Sequence, residues 1–230
     1  EELYYKNRGV DASYVGHPFL DNLEKNNIEN IKSSLGCNNK KIIGIFPGSR
    51  IEEIKHHLPI YLEACKKLQT IFPDAKYMIG LAPNISADYI NSNFKINNME
   101  LVENNSLNLL ECADVAIVTS GTISLQAAFM LTPCVVGYKL SKTSWLISKF
   151  LVKINFISMA NIISNKIIYK ELLQSNLNTS NICEEVDKII NNYDYVNQMK
   201  KELNMMKKEF LAKNNAIENA ANIIFDNING

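Results

Sequence analysis

Short apolar runs of four or five residues alternate with helix-periodic stretches through most of the chain, and that alternation restricts it to few folds. Ile42-Ile43-Gly44-Ile45-Phe46 reads as a buried strand stopped by Pro47-Gly48. Helical spacing follows at Ile51, Ile54, Leu58, Leu62, Cys65, Leu68 and Phe72, with Pro59 predicting a kink or two abutting helices. Further strands are expected at Tyr77 to Leu81, Met99 to Val102, Val115 to Val118 and Pro133 to Tyr138. Helices are expected at Ser86 to Phe94, Leu107 to Cys112 and Thr122 to Leu131. Strands separated by crossover helices pair in parallel, so the expected fold is α/β, a doubly wound parallel sheet of five or six strands. From Asn181 onward only helix is read. Val196, Met199, Leu203, Met206, Phe210, Ile217, Ala220 and Ile224 share one face, which predicts a helical tail docking on the domain or a partner. The expected division is a helix end and linker at 1–22, the sheet domain at 23–180 and C-terminal helices at 181–230.

Charge and cysteine usage narrow the function. The 24 basic and 24 acidic residues cancel, which argues against a dedicated nucleic-acid binder. No apolar run reaches the roughly 20 residues of a membrane span. The five cysteines are scattered without CxxC or Cys/His spacing, so they read as buried thiols and neither a disulfide framework nor a metal site is indicated. The chain has 31 Asn, 29 Ile and 22 Lys but only two Arg, which gives weight to Arg50. The chain begins with Glu-Glu-Leu-Tyr-Tyr, which reads as mid-helix, so a longer protein is expected.

Ligands of open α/β sheets bind beyond the carboxyl ends of the strands. Two strand-to-helix loops there carry suitable residues. In Pro47-Gly48-Ser49-Arg50, Gly48 allows close backbone approach, Ser49 offers a hydroxyl, and Arg50 offers a forked cation at a helix start. The alternative is a tight turn with a surface Arg. In Thr119-Ser120-Gly121-Thr122, two hydroxyls and a glycine open the next helix, and simple N-capping by Ser120 or Thr122 is the alternative. Neither loop is a Walker A or GxGxxG motif, and Ser120 does not lie in a GxSxG elbow. The His56-His57 pair lacks partner ligands and reads as surface.

A set of motifs in fixed order carries a resemblance. They are Tyr14-Val15-Gly16-His17-Pro18-Phe19-Leu20-Asp21, Phe46-Pro47-Gly48-Ser49-Arg50 with Glu53-Ile54, Ser120-Gly121-Thr122, Pro133 to Lys139, Asn161-Ile162-Ile163, and Glu171-Leu172-Leu173-Gln174. Together they closely resemble lipid-A-disaccharide synthase. The resemblance implies a Rossmann-like sheet as one half of a GT-B glycosyltransferase. The implied reaction moves an acylated glucosamine from a UDP-sugar to a lipid monosaccharide phosphate, forming a β-1,6-linked disaccharide. No cofactor and no metal are implied. By resemblance this is the carboxy-terminal, donor-binding half, and the N-terminal half carries the acceptor site and the proposed base. Partners would be the UDP-diacylglucosamine-type donor, the lipid acceptor, that N-terminal half and, by extension, a second copy. The expected location is cytoplasmic, peripheral on the inner face of the inner membrane. Two rival readings stay open: a truncated module that binds UDP without turnover, and another GT-B enzyme such as a UDP-N-acetylglucosamine epimerase.

The resemblance also distributes roles. Gly48, Ser49 and Arg50 would hold the diphosphate, with Ser120, Gly121 and Thr122 donating hydrogen bonds to it. Asn161, Glu171 and Gln174 match positions lining the nucleotide-sugar cleft, and His17 either faces the cleft or packs structurally. This chain departs from the family at Gln126, where Glu is usual and would accept from ribose hydroxyls, and at Ala160, where Pro is usual. Trp145 to Lys153, aromatic and apolar among lysines, reads either as a packing helix or as a membrane-contacting surface.

Overall fold

The computed structural model describes residues 2–23, 27–140, 155–213 and 215–229. The Trp145 to Lys153 stretch lies outside the described residues. Two compact units are present, residues 26–204 and residues 1–25 with 205–230.

The larger unit holds a parallel six-stranded sheet. Its strands are β1 (Ile42–Phe46), β2 (Lys76–Gly80), β3 (Glu100–Val102), β4 (Val115–Thr119), β5 (Cys134–Tyr138) and β6 (Lys170–Leu173). Their order is β3-β2-β1-β4-β5-β6, with every adjacent pair parallel. Every residue of β1 and β4 is buried, as the central strands of a sheet covered on both faces require. β6 was not anticipated as a strand. Among the described residues it pairs with β5 alone, and Lys170 is exposed, so its sequence lacks the continuous apolar run of a central strand.

Among the described residues this unit also holds helices α3 (Ile28–Ser34), α4 (Ile51–Ile71), α5 (Ala87–Asn93), α6 (Ser106–Cys112), α7 (Thr122–Met130), α8 (Met159–Ser164) and α9 (Thr179–Asn191), with the start of α10 (Tyr193–Leu211). α4 and α9 pack on each other, and α9 lies against β4, β5 and β6. α3, α6, α7 and α8 form a second packed set, in which α6 touches β1 and β2 and α7 touches β4 and β5. α4 is one continuous helix across Pro59, so of the two expected outcomes the pair of abutting helices is not found. Pro59 sits on the exposed face, where water can satisfy the carbonyl that its missing N–H leaves free. The five cysteines are buried free thiols, and burial pushes that of Cys112 up to about 11.

The smaller unit joins the ends of the chain. It contains α1 (Glu2–Lys6), α2 (Pro18–Asp21), the end of α10 and α11 (Ala216–Asn229). Asp21 accepts hydrogen bonds from the Asn215 and Ala216 amides at 2.9 and 2.6 Å, capping α11 from nearly 200 residues away. Lys213 and Asn219 donate to the carbonyls of Tyr14 and Val15. The stretch from Val196 to Ile224 is shared by two helices, α10 and α11, which part near Lys213. The expected apolar face is buried at Met199, Leu203 and Met206, but Ile217 and Ile224 are exposed. The division between units falls inside α10, and α9 packs on the sheet.

Candidate functional site

In this strand order the connections step first to one side of β1, to β2 and β3, and then to the other, to β4, β5 and β6, and that switch in strand order opens a crevice at the carboxyl ends of β1 and β4. The loop after β1 is Pro47 to Arg50, and the loop after β4 is Ser120-Gly121. The two loops chosen from sequence thus border the crevice.

Glu53 folds the first loop. Its Oε2 accepts from the Ser49 amide at 3.0 Å, and its Oε1 lies 3.5 Å from Arg50 Nη1. Gly48 has φ +124, and a β-carbon there would stand 2.7 Å from Glu53 Oε2, so the loop tolerates no side chain at that position. Asn84, from the segment after β2, donates to the Ser49 carbonyl at 2.7 Å. The Arg50 side chain is 83% exposed, so its guanidinium extends from a backbone that is held. Arg50 is the N-cap of α4 and makes no side-chain capping bond.

The second loop is held differently. The Ser120 amide donates to the Gly137 carbonyl, and its hydroxyl donates to the Ile157 carbonyl at 2.7 Å. Gly121, at φ +150, is the N-cap of α7 and supplies no side chain. Neither Ser120 nor Thr122 caps this helix, so the capping alternative is set aside. Thr122 is exposed, and Gln126 follows one turn later on the same face, with no hydrogen bond to any described residue. By contrast α3, α5, α8 and α9 are capped by Asn27, Ser86, Ser158 and Asn178. At the crevice, α4 and α7 each begin without a side-chain cap; α6, which follows the edge strand β3, does so too. Uncapped helix starts leave N–H groups and the positive dipole end for an anion.

The remaining sequence-selected residues divide into two groups. Asn161 is fully buried. Its Nδ2 donates to Tyr169 O and Glu171 Oε1, and its Oδ1 accepts from the Ile168 and Tyr169 amides. Those four bonds use every donor and acceptor of the Asn161 side-chain amide, which ties it to the protein's own groups. Glu171 accepts from the amides of Ile157 and Ser158 and from the Ser158 hydroxyl, each at 2.9 Å, which fixes the segment that Ser120 grips. Gln174, at the end of β6, differs. Its φ is +50, and its Nε2 is buried without a hydrogen-bond partner among the described residues. A buried donor without such a partner is costly. His17 is the N-cap of α2: its Nδ1 accepts from the Phe19 amide at 3.2 Å, and its ring lies edge-on to Phe210.

Sequence reasoning missed His57. Far from lying on the surface, it is 1% exposed, whereas neighbouring His56 is exposed. Its Nδ1 is 2.6 Å from the Glu53 carbonyl, and its Nε2 accepts from the Lys139 amide at 2.9 Å. The apolar spacing of α4 includes Leu58 but gives no sign that the preceding His also turns inward. Among the described residues no cluster of three metal-ligating side chains occurs, and no helix is long and apolar enough to cross a membrane.

The likeness to known proteins is consistent with this architecture. The lipid-A-disaccharide synthetase family model matches residues 1–225. Relatives named lipid-A-disaccharide synthase include those of Anaeromyxobacter dehalogenans, 34% identical over 83% of this chain, and Coxiella burnetii, 31% identical over 97%. The one from Sulfurihydrogenibium is 34% identical over 97% of the chain. The chain spans 51%, 60% and 62% of the length of these three relatives. Among solved structures, a Listeria monocytogenes protein described as a putative UDP-N-acetylglucosamine 2-epimerase aligns with TM-score 0.57 and 15% identity. That alignment covers 87% of this chain and 50% of the other. The kitacinnamycin glycotransferase aligns with TM-score 0.53 and 17% identity, over 81% of this chain and 43% of its own. These structural likenesses establish the GT-B-type fold, and the family match establishes kinship: the chain belongs to the lipid-A-disaccharide synthase family.

Proposed function

We propose that this chain supplies the donor-binding half of a glycosyltransferase that forms the lipid A disaccharide. The carrying observation is the pair of glycine-bearing, uncapped helix starts facing the β1/β4 crevice in a chain of this family. In this reading Gly48, Ser49 and Arg50 take the diphosphate of a UDP-activated acylated glucosamine, and the α7 start at Gly121-Thr122 takes its other side. Ser120 sets the loop through Ile157 instead of touching the ligand. Gln174 offers its unpaired amide to the sugar or nucleotide, and Gln126 to the ribose. Asn161 and Glu171 act as supports for that wall. As the glycosidic bond to the leaving diphosphate breaks, negative charge grows on its oxygens, and Arg50 with the α4 and α7 N–H groups stabilises it. The acceptor, a lipid monosaccharide phosphate, and the base that removes its hydroxyl proton belong to an N-terminal half of the enzyme. Peripheral membrane contact and pairing with a second copy go with that assembly.

The test is a disaccharide assay on the purified chain, with and without a separately expressed N-terminal half. Binding of UDP by the chain alone, with turnover only in the mixture, is expected. Equal turnover by the chain alone contradicts the division of labour, since lost positioning forfeits several kcal/mol of barrier reduction.

A further inference from the structure

The ring of His57 joins two strand-end segments that lie on opposite sides of β4. α4 begins where β1 ends, and Lys139 follows directly on β5. In the sheet β4 lies between β1 and β5, so the bond from His57 to Lys139 passes across the end of β4. A carbonyl only accepts and an amide only donates. Glu53 O therefore requires the proton on Nδ1, and the Lys139 N–H requires Nε2 bare, which selects one neutral tautomer. One turn further along α4, Tyr61 donates to Val118 O at 3.3 Å, lies equally close to Thr119 Oγ1, and packs directly over Gly137. Two side chains of one helix thus pin it to the carboxyl ends of β4 and β5. The His57 pin sits beneath the turn whose Glu53 carboxylate folds the Gly48 to Arg50 loop.

An apolar residue would fill this buried position without the cost of desolvating two ring nitrogens. What the imidazole adds is a donor and an acceptor at the spacing of these two backbone groups. We propose that His57 is a positioning residue for the crevice, holding the anion-binding turn of α4 at a fixed distance from the end of β4 and from Lys139 just after β5. This rests on the donor-binding reading of that crevice. The charged and titratable groups around the ring are Glu53 and His56 on α4, Tyr61 on the same helix, and Lys139 and Tyr138 from the β5 side. Burial outweighs Glu53 and lowers the imidazole pKa, which keeps the required neutral form.

The experiment compares wild-type protein with His57→Leu, His57→Gln and, as a control, His56→Leu. The ligand is UDP-N-acetylglucosamine, used because UDP itself has a terminal phosphate that titrates near pH 6. His57→Leu is expected to bind about tenfold more weakly, matching the loss of roughly one hydrogen bond's worth of positioning. His57→Gln, whose amide can both donate and accept, is expected to recover most of that loss, and His56→Leu to match wild type. Equal affinity of the Leu and Gln variants overturns the proposal. Without ligand, the Ser49, Arg50 and Gly121 amide resonances should shift in His57→Leu and return toward wild type in His57→Gln; unmoved resonances also overturn it. If His57→Leu does not fold, the ring nitrogen shifts of the wild type decide: a neutral Nδ1–H tautomer is required, and Nε2–H contradicts the geometry. Failure of wild type to bind any nucleotide sugar contradicts the proposed function, while the amide and ring measurements still judge His57.

Discussion

Glu53 reaches back along its own helix to accept the Ser49 amide at 3.0 Å, so one carboxylate both folds the glycine loop and lies beside Arg50. This resembles the reciprocal half of a capping box, with the helix start itself left open. Replacing Glu53 with Ala removes that acceptor while Ser49 stays half-solvated. A loss of about 0.5–1.5 kcal/mol in urea unfolding is expected. No change in stability would mean that Gly48 and Asn84 alone shape the loop.

Arg50 extends into solvent from this held backbone. Arg50→Ala should weaken UDP binding by about 1.5–3 kcal/mol, the range for a hydrogen bond to a charged group. Arg50→Lys should restore only part, because an ammonium cannot fork onto two oxygens. Unchanged calorimetric affinity in the Ala variant removes Arg50 from the site.

Gln126 stands half-buried in the second turn of α7, below the exposed Thr122, without a described partner. If it meets the ribose, Gln126→Glu should raise the preference for UDP over 2′-deoxy-UDP, since a carboxylate accepts more strongly from both hydroxyls. An unaltered affinity ratio means that the side chain points elsewhere.

Asn161 predicts the opposite pattern. Four bonds to Tyr169, Ile168 and Glu171 depend on it in a fully buried place. Asn161→Ala should cost about 3 kcal/mol or more in stability, through several unpaired buried groups. A stable Asn161→Ala variant with lost nucleotide binding would instead return this residue to the ligand.

Burial of His57 links folding to pH. The unfolded chain protonates this imidazole near its ordinary value of 6.5, while the native ring resists protonation until lower pH. The unfolded state therefore binds more protons in that window, and stability should fall as pH drops below about 6.5, levelling beneath the native value. Glu2, Glu52 and Glu202 are held below the ordinary 4.5 by Lys6, Lys55 and Lys166, so their losses come at more acid pH. Denaturant titrations between pH 8 and pH 5 should show the slope in wild type and a flatter profile in His57→Leu.

The central strands were legible because a strand buried on both faces must be written as an apolar run, as Ile42 to Phe46 and Val115 to Val118 are. β6 was legible only as a motif, since an edge strand carries Lys170 and Glu171 without penalty. The two crevice loops were legible from glycine and hydroxyl residues after strands. The division of labour around them was not. Whether Asn161 binds a ligand or a backbone depends on how 157–161 folds against Tyr169 and Glu171, contacts that no local spacing records. His57 was hidden for the same reason, because its acceptor and donor lie four and 82 residues away.

The claim that the β1/β4 crevice is the donor site is tested most directly by titrating isotope-labelled protein with UDP-N-acetylglucosamine and following backbone amides. The account predicts saturable shifts concentrated at Gly48, Ser49, Arg50, Gly121 and Thr122, with the Gln174 side-chain amide moving at the same midpoint. Saturable binding that leaves those amides unmoved, or shifts concentrated at the opposite ends of the strands around Lys41 and Asp114, would contradict it.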